Sequence, residues 1–123
     1  MILRGTLTAV LSFAIVLSMS SIAFADAGAG EAVYKKKCKA CHSTSSKKVL
    51  GPGLAGQMKV HTPEWMKKWL MDPQGTWVAG EAETEEMKTR LKRSKKKKTK
   101  MKIKGKGLPE GEANDVIDYL KTL

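Results

Sequence analysis

Residues 38–42 read Cys-Lys-Ala-Cys-His, and they hold both cysteines of the 123-residue chain and one of its two histidines. No other stretch restricts the fold and chemistry so sharply. A structural zinc site needs about four Cys or His ligands. The candidates are Cys38, Cys41, His42 and His61, so the count is barely met, and adjacent Cys41 and His42 fit poorly on one tetrahedral ion. A thioredoxin-like pair needs its first thiol at a helix N-terminus in a fold of alternating strands and helices. Here Ala32, Val33 and the lysines around Tyr34 read as a helix running into the cysteines, with no β-strand pattern before them. Coincidence is disfavoured by the scarcity of both residue types.

Covalent haem attachment accounts for the spacing. Two thiols three positions apart in a turn at a helix end reach two vinyl groups on one edge of the macrocycle, and the next side chain, His42, falls under the iron as an axial imidazole. Thioether bonds also hold a cofactor without a deep pocket, which suits a short chain.

The chain is short in a second sense. Arg4 is the only charge before Asp26, a mostly apolar run extends from Leu7 to Met19, and Ala23-Phe24-Ala25 supplies small residues for a cut. Residues 1–25 read as a signal peptide cleaved after Ala25, which places the protein in the periplasm. An uncleaved anchor is the rival, but Thr8, Ser12 and Ser18 interrupt the run, and it falls short of the ~20 apolar residues that span a bilayer. Cleavage leaves residues 26–123, one small domain that buries only roughly 60 to 65% of its unfolded surface. A disulfide between Cys38 and Cys41 would close too short a loop to help much. A bound cofactor would do more.

Charge is uneven along the chain. The formal net charge is +11, and 12 of the 19 residues from Lys88 to Lys106 are Lys or Arg, just after Glu81, Glu83, Glu85 and Glu86. A short helix is expected within Glu81 to Arg93, with acids first, bases last, Glu86 four before Arg90, and Met87 and Leu91 as its only strong apolar anchors. Such a segment is expected on the surface or in motion.

Four regions together make the chain resemble the class I, small monohaem c-type cytochromes. In "GEAVYKKKCKACH", Gly30 and Tyr34 precede Cys38 by eight and four residues, like the glycine and aromatic of that family's first helix. "GPGLAG", residues 51–56, is similar to the loop whose proline carbonyl accepts a hydrogen bond from the ligating imidazole; Pro52 would thus orient His42 and raise its basicity, and Leu54 would pack on the haem face. In "HTPEWMKKWLMDP", Thr62 can cap a helix with Pro63 at its first position and Glu64 in its first turn. Met66, Trp69 and Leu70 share a face there, and Pro73 should end the helix at Asp72. Ala113, Val116, Ile117 and Leu120 fall at i, i+3, i+4 and i+7 of a last amphipathic helix.

The resemblance implies an all-α class I cytochrome c fold, N- and C-terminal helices crossing around one haem c bound through Cys38 and Cys41, with Val116 and Tyr119 meeting Gly30 and Tyr34. It implies cofactor contacts from Cys38, Cys41, His42, Pro52, Leu54, Trp69 and Met101, and iron ligation by His42 and Met101. Met101 is chosen because it stands in a Thr-Lys-Met setting in a glycine-containing loop, Gly105 and Gly107 following it. Met66 and Met71 read as core filler, Met58 follows Pro52 too closely, and Met87 and His61 stay as alternatives. One departure from the family is plain: 27 residues separate Pro73 from Met101, longer than in compact members, so residues at about 76–100 read as a basic insertion.

The implied function is single-electron transfer by a carrier rather than an enzyme. No paired-carboxylate or Ser/His/Asp set competes, nor does a phosphate-binding glycine loop. The alternatives are a haem subunit of a larger periplasmic oxidoreductase and, less favoured, a haem sensor. The lysines are expected to draw acidic redox partners to the face near Met101. They also permit weak association with an anionic membrane surface. Export argues against nucleic acid.

Overall fold

The computed structural model describes residues 22–123, with side chains from residue 27 on. Six helices follow one another: α1 (Ile22–Lys37), α2 (Gln57–Val60), α3 (Pro63–Met71), α4 (Pro73–Ala79), α5 (Ala82–Arg90) and α6 (Glu110–Leu120). No strand occurs among the described residues. Most of the expected signal peptide lies outside the described residues, while the expected cut after Ala25 falls inside α1. No helix of the described residues is long and apolar enough to cross a membrane.

The most extensive packing joins α1 to α6. Gly30 makes the crossing possible, because a Cβ there would strike the Asp115 carbonyl and lie 2.7 Å from the Tyr119 Cβ. The helices therefore touch backbone to backbone. Tyr34 and Tyr119 meet beside the glycine with ring centroids 5.7 Å apart, and Lys37 closes the edge on Glu112 at 2.6 Å. From α6, Ala113, Val116, Ile117 and Leu120 are buried, the stripe its spacing predicts.

Local signals set α3. Thr62 Oγ1 accepts a hydrogen bond from Trp65 N at 3.3 Å, and Pro63 takes the first turn, where no N–H is needed. Trp65, Met66, Trp69 and Leu70 face inward. The helix does stop before Pro73, but the chain does not go slack there. Asp72 N donates to Lys68 O at 2.9 Å to finish α3, and Asp72 Oδ1 accepts from Gly75 N at 2.9 Å to start α4. The Gly75 N–H, with Lys106 adding to it, holds the Asp72 carboxyl below its ordinary value. A sequence that predicts a stop thus delivers a corner between two helices.

The stretch expected on the surface or in motion carries most of its lysines on the surface and is anchored by a packed core. Trp77, 1% exposed, is the centre of it. Its indole N–H donates to Lys96 O at 2.9 Å, the Lys88 ammonium lies 5.0 Å from its ring centroid, and the Arg93 guanidinium lies 5.8 Å from it. Gln74 binds Lys97 O at 3.2 Å and receives Thr99 N at 3.1 Å. Fully buried Thr84 accepts from Trp65 Nε1 at 2.9 Å and donates to Thr76 O at 3.3 Å. Met87 joins the core beside α3 and α4. Burying each such apolar side chain contributes about 1.5–3 kcal/mol, enough to hold a segment this basic. Gly80 (φ 69°) ends α4 and Lys92 (φ 55°) follows α5, both left-handed.

Candidate functional site

The cysteine turn grows directly out of α1. Cys38 N and Lys39 N both donate to Tyr34 O at 2.9 Å, and Cys41 N and His42 N return to Cys38 O at 3.1 and 3.0 Å. Tyr34 contributes again through its hydroxyl, which donates to His42 O at 2.8 Å. Both thiols are free, Cys38 buried and Cys41 exposed. Burial pushes the Cys38 thiol up, against the pull of neighbouring Lys37.

The loop at residues 51–56 then fixes the imidazole. His42 Nδ1 lies 2.7 Å from Pro52 O. A carbonyl only accepts, so in the neutral ring Nδ1 carries the proton and Nε2 keeps its lone pair. Gly51 lies directly under the ring: a Cβ there would come within 2.5 Å of His42 Cε1. Leu54 N donates to Ser43 O at 2.9 Å, and the Leu54 side chain borders the hydrophobic core.

Trp69 and Met101 form a second cluster. The indole N–H donates to Met101 Sδ at 3.1 Å, and Met101 N is held by Thr99 Oγ1 at 3.1 Å. Met101 and Leu54 border the same core. The structure therefore brings Cys38, Cys41, His42 and Pro52 together in one group, and Trp69 and Met101 together in a second.

The two residues kept as alternative ligands have other occupations. Met87 is buried among α3–α5. His61 is buried and stacks on Trp65 with centroids 4.1 Å apart. Its Nδ1 is 3.3 Å from Glu83 Oε2, and Arg90 Nη2 donates to its Nε2 at 2.9 Å. The expected Glu86–Arg90 pair gives way to this contact, because an arginine N–H at the end of α5 finds a buried acceptor. Burial, aided by Arg90, lowers the His61 pKa below its ordinary 6.5, and hydrogen bonds from Thr62 and His61 outweigh burial to lower that of Glu83.

With the folded pKa of His61 below the unfolded one, the unfolded chain binds more protons in between. Stability is therefore lost as pH falls from about 6.5 toward the folded value. The urea midpoint of the wild type should drop between pH 7 and pH 5. His61→Gln, whose amide can donate to Glu83 and accept from Arg90, should show a smaller drop; an equal drop in both proteins would place the effect elsewhere.

Sequence reading does not single out Trp77, Thr84 or Gly51. Only a tryptophan amid polar residues, and a glycine before Pro52, point to the first and last.

The donor set suits one group well. The described residues hold no cluster of three or more His, Cys, Asp or Glu placed to share a metal ion, and their lack of strands removes the thioredoxin-like reading. What stands is a rigid turn offering two free thiols and a neighbouring imidazole with a fixed tautomer and an open lone pair. Those are the features of a c-type haem protein. The Cytochrome c family model matches residues 27–123, and the chain belongs to the cytochrome c family. The family is one of covalently bound haem and haem-based electron transfer, and its domain is typically a carrier rather than an enzyme. No curated protein and no solved structure matches the chain.

Proposed function

We propose that the protein is a periplasmic single-electron carrier with one haem c joined to Cys38 and Cys41 and its iron held by His42 and Met101. The observation that carries this reading is the 2.7 Å contact between His42 Nδ1 and Pro52 O. It places the proton of the neutral ring on Nδ1, leaves Nε2 to hold the iron when haem is bound, and would make the imidazole a stronger donor there. When bound, the haem would supply a one-electron Fe(III)/Fe(II) couple.

The chain's own residues do the rest. Trp69 directs an N–H at the Met101 sulfur, which restrains the thioether and draws on its electron density. Met101 is a soft ligand that favours the reduced state. If His42 and Met101 both held the iron, they would leave no coordination site for oxygen, peroxide or substrate, which favours a carrier over an enzyme. The Lys88–Lys106 tract supplies long-range attraction for acidic redox partners.

Optical spectra of the purified holoprotein test the ligand pair. The oxidised wild type should show the weak far-red band of sulfur-to-iron charge transfer, and Met101→Ala should lose it entirely and fall in potential. A band that survives in Met101→Ala would exclude Met101 as the ligand.

A further inference from the structure

One imidazole holds both ends of a helix. Glu83 and Arg90 stand in the first and last turns of α5, and both reach back to His61, Glu83 Oε2 at 3.3 Å from Nδ1 and Arg90 Nη2 at 2.9 Å from Nε2. An arginine only donates, so Nε2 must accept and the proton of the neutral ring lies on Nδ1, toward Glu83. The ring is kept in place by the Trp65 stack at 4.1 Å and by the backbone bond from His61 N to Gln57 O at 3.0 Å.

A second proton on this ring would have to sit on Nε2, where it meets the Arg90 N–H. Donor would then face donor, and cation would face cation. The Glu83 contact gains instead, because a charged imidazole is the better donor to a carboxylate. Although burial raises it, hydrogen bonds from Thr62 and His61 hold the Glu83 carboxyl below its ordinary value, so it stays ionised where an imidazole titrates. Besides burial, the charges acting on the ring are Arg90, Glu83 and Glu86, all from α5; α2 and α3, which also pack against it, add none.

Trp77 limits how far a released end could move. Lys88 and Arg93 lie against its ring, and Arg93 Nη2 also donates to Lys98 O at 3.1 Å, with no part played by His61. Between these two anchors run Thr89 to Lys92, and Lys92 already has a left-handed φ of 55°. Arg90, Leu91 and Lys92 line an open cleft together with Lys48, Pro52 and Gly53. We propose that His61 is a proton-operated latch on the end of α5. Neutral, the ring holds Glu83 and Arg90 together; protonated, it keeps Glu83 and releases Arg90, and the Thr89–Lys92 segment lifts from the cleft that it lines with Pro52. Acid thereby opens the protein locally, beside the backbone carbonyl that orients His42.

Hydrogen exchange of the reduced holoprotein, corrected for the intrinsic effect of pH, tests the latch. The reporters are the amides of Leu91, Lys92 and Arg93, which donate to Met87 O, Thr89 O and Lys88 O. Their opening should rise by up to about tenfold from pH 7 to pH 5.5, the most that one imidazole with an ordinary pKa in the open form supplies over that interval. The Glu85 amide, bonded to Glu81 O at the start of α5, and the amides of the α1–α6 crossing should keep their protection. His61→Gln can still donate to Glu83 and accept from Arg90 but has no proton to gain, so it should lose the pH response. Arg90→Leu should expose the same three amides already at pH 7, and the His61 ring, followed by its NMR signal, should then titrate closer to its ordinary 6.5.

Exchange at the end of α5 that does not respond to pH overturns the proposal. So does an equal acceleration in α1 and α6, since acid would then loosen the whole molecule rather than one segment. A pH response that persists in His61→Gln, or in Arg90→Leu, would assign the effect to another group and overturns the latch as well.

Discussion

Trp77→Ala is expected to lower the unfolding free energy by about 3–5 kcal/mol, the range for emptying a buried aromatic site. The indole is 1% exposed and touches Trp69 at a centroid distance of 6.4 Å. Cavity formation is only part of the loss. Lys96 O loses its donor, and Lys88 and Arg93 lose the ring against which they lie. The Arg93 Nε is already buried without a partner, so removing the ring leaves that guanidinium less well compensated. Hydrogen exchange should accordingly quicken most in α5 and around Lys96, and least at the α1–α6 crossing. Urea denaturation gives the first quantity and exchange the second. A cost below about 1 kcal/mol would mean that the insertion is held by something other than Trp77.

Gly30→Ala should be strongly damaging, as a methyl driven into backbone. A Cβ there meets the Asp115 backbone, which no rotamer change can move aside. The helices must separate, and Tyr34 and Tyr119 part with them. Overpacking against backbone is expected to cost about 3 kcal/mol or more. Gly28, two residues earlier on the same helix, has open space around it, with nothing within 4 Å of where a Cβ would sit. Gly28→Ala should therefore be neutral or stabilising by up to about 1 kcal/mol, because alanine is the better helix former. Comparable destabilisation by the two changes would argue against close packing of α1 on α6.

How much of the molecule is legible in its sequence depends on how local each cause is. The cysteine turn, the Thr62 cap, the stop at Asp72 and the apolar stripe of α6 each rest on residues within a turn or two of one another, and spacing alone exposes them. The crossing of α1 and α6 is reachable only through the resemblance, since Gly30 and Tyr119 are far apart in the chain. The insertion reads as a segment on the surface or in motion because its composition is dominated by lysine. Its order comes from Trp77, whose partners are backbone carbonyls and cation faces that composition does not reveal. In the sequence His61 competes as an iron ligand for want of a visible occupation. Glu83 and Arg90, brought to it by α5, supply one.

The packing of α6 on α1 also bears on how the setting of the cysteine turn is reached. Cys38 belongs to the early part of the chain, yet Glu112 of α6 is among the charges that act on its buried thiol. Bringing together segments this far apart costs loop-closure entropy and slows folding. Of the two thiols only Cys38 is buried by the folded chain, while Cys41 stays open to reagents in it.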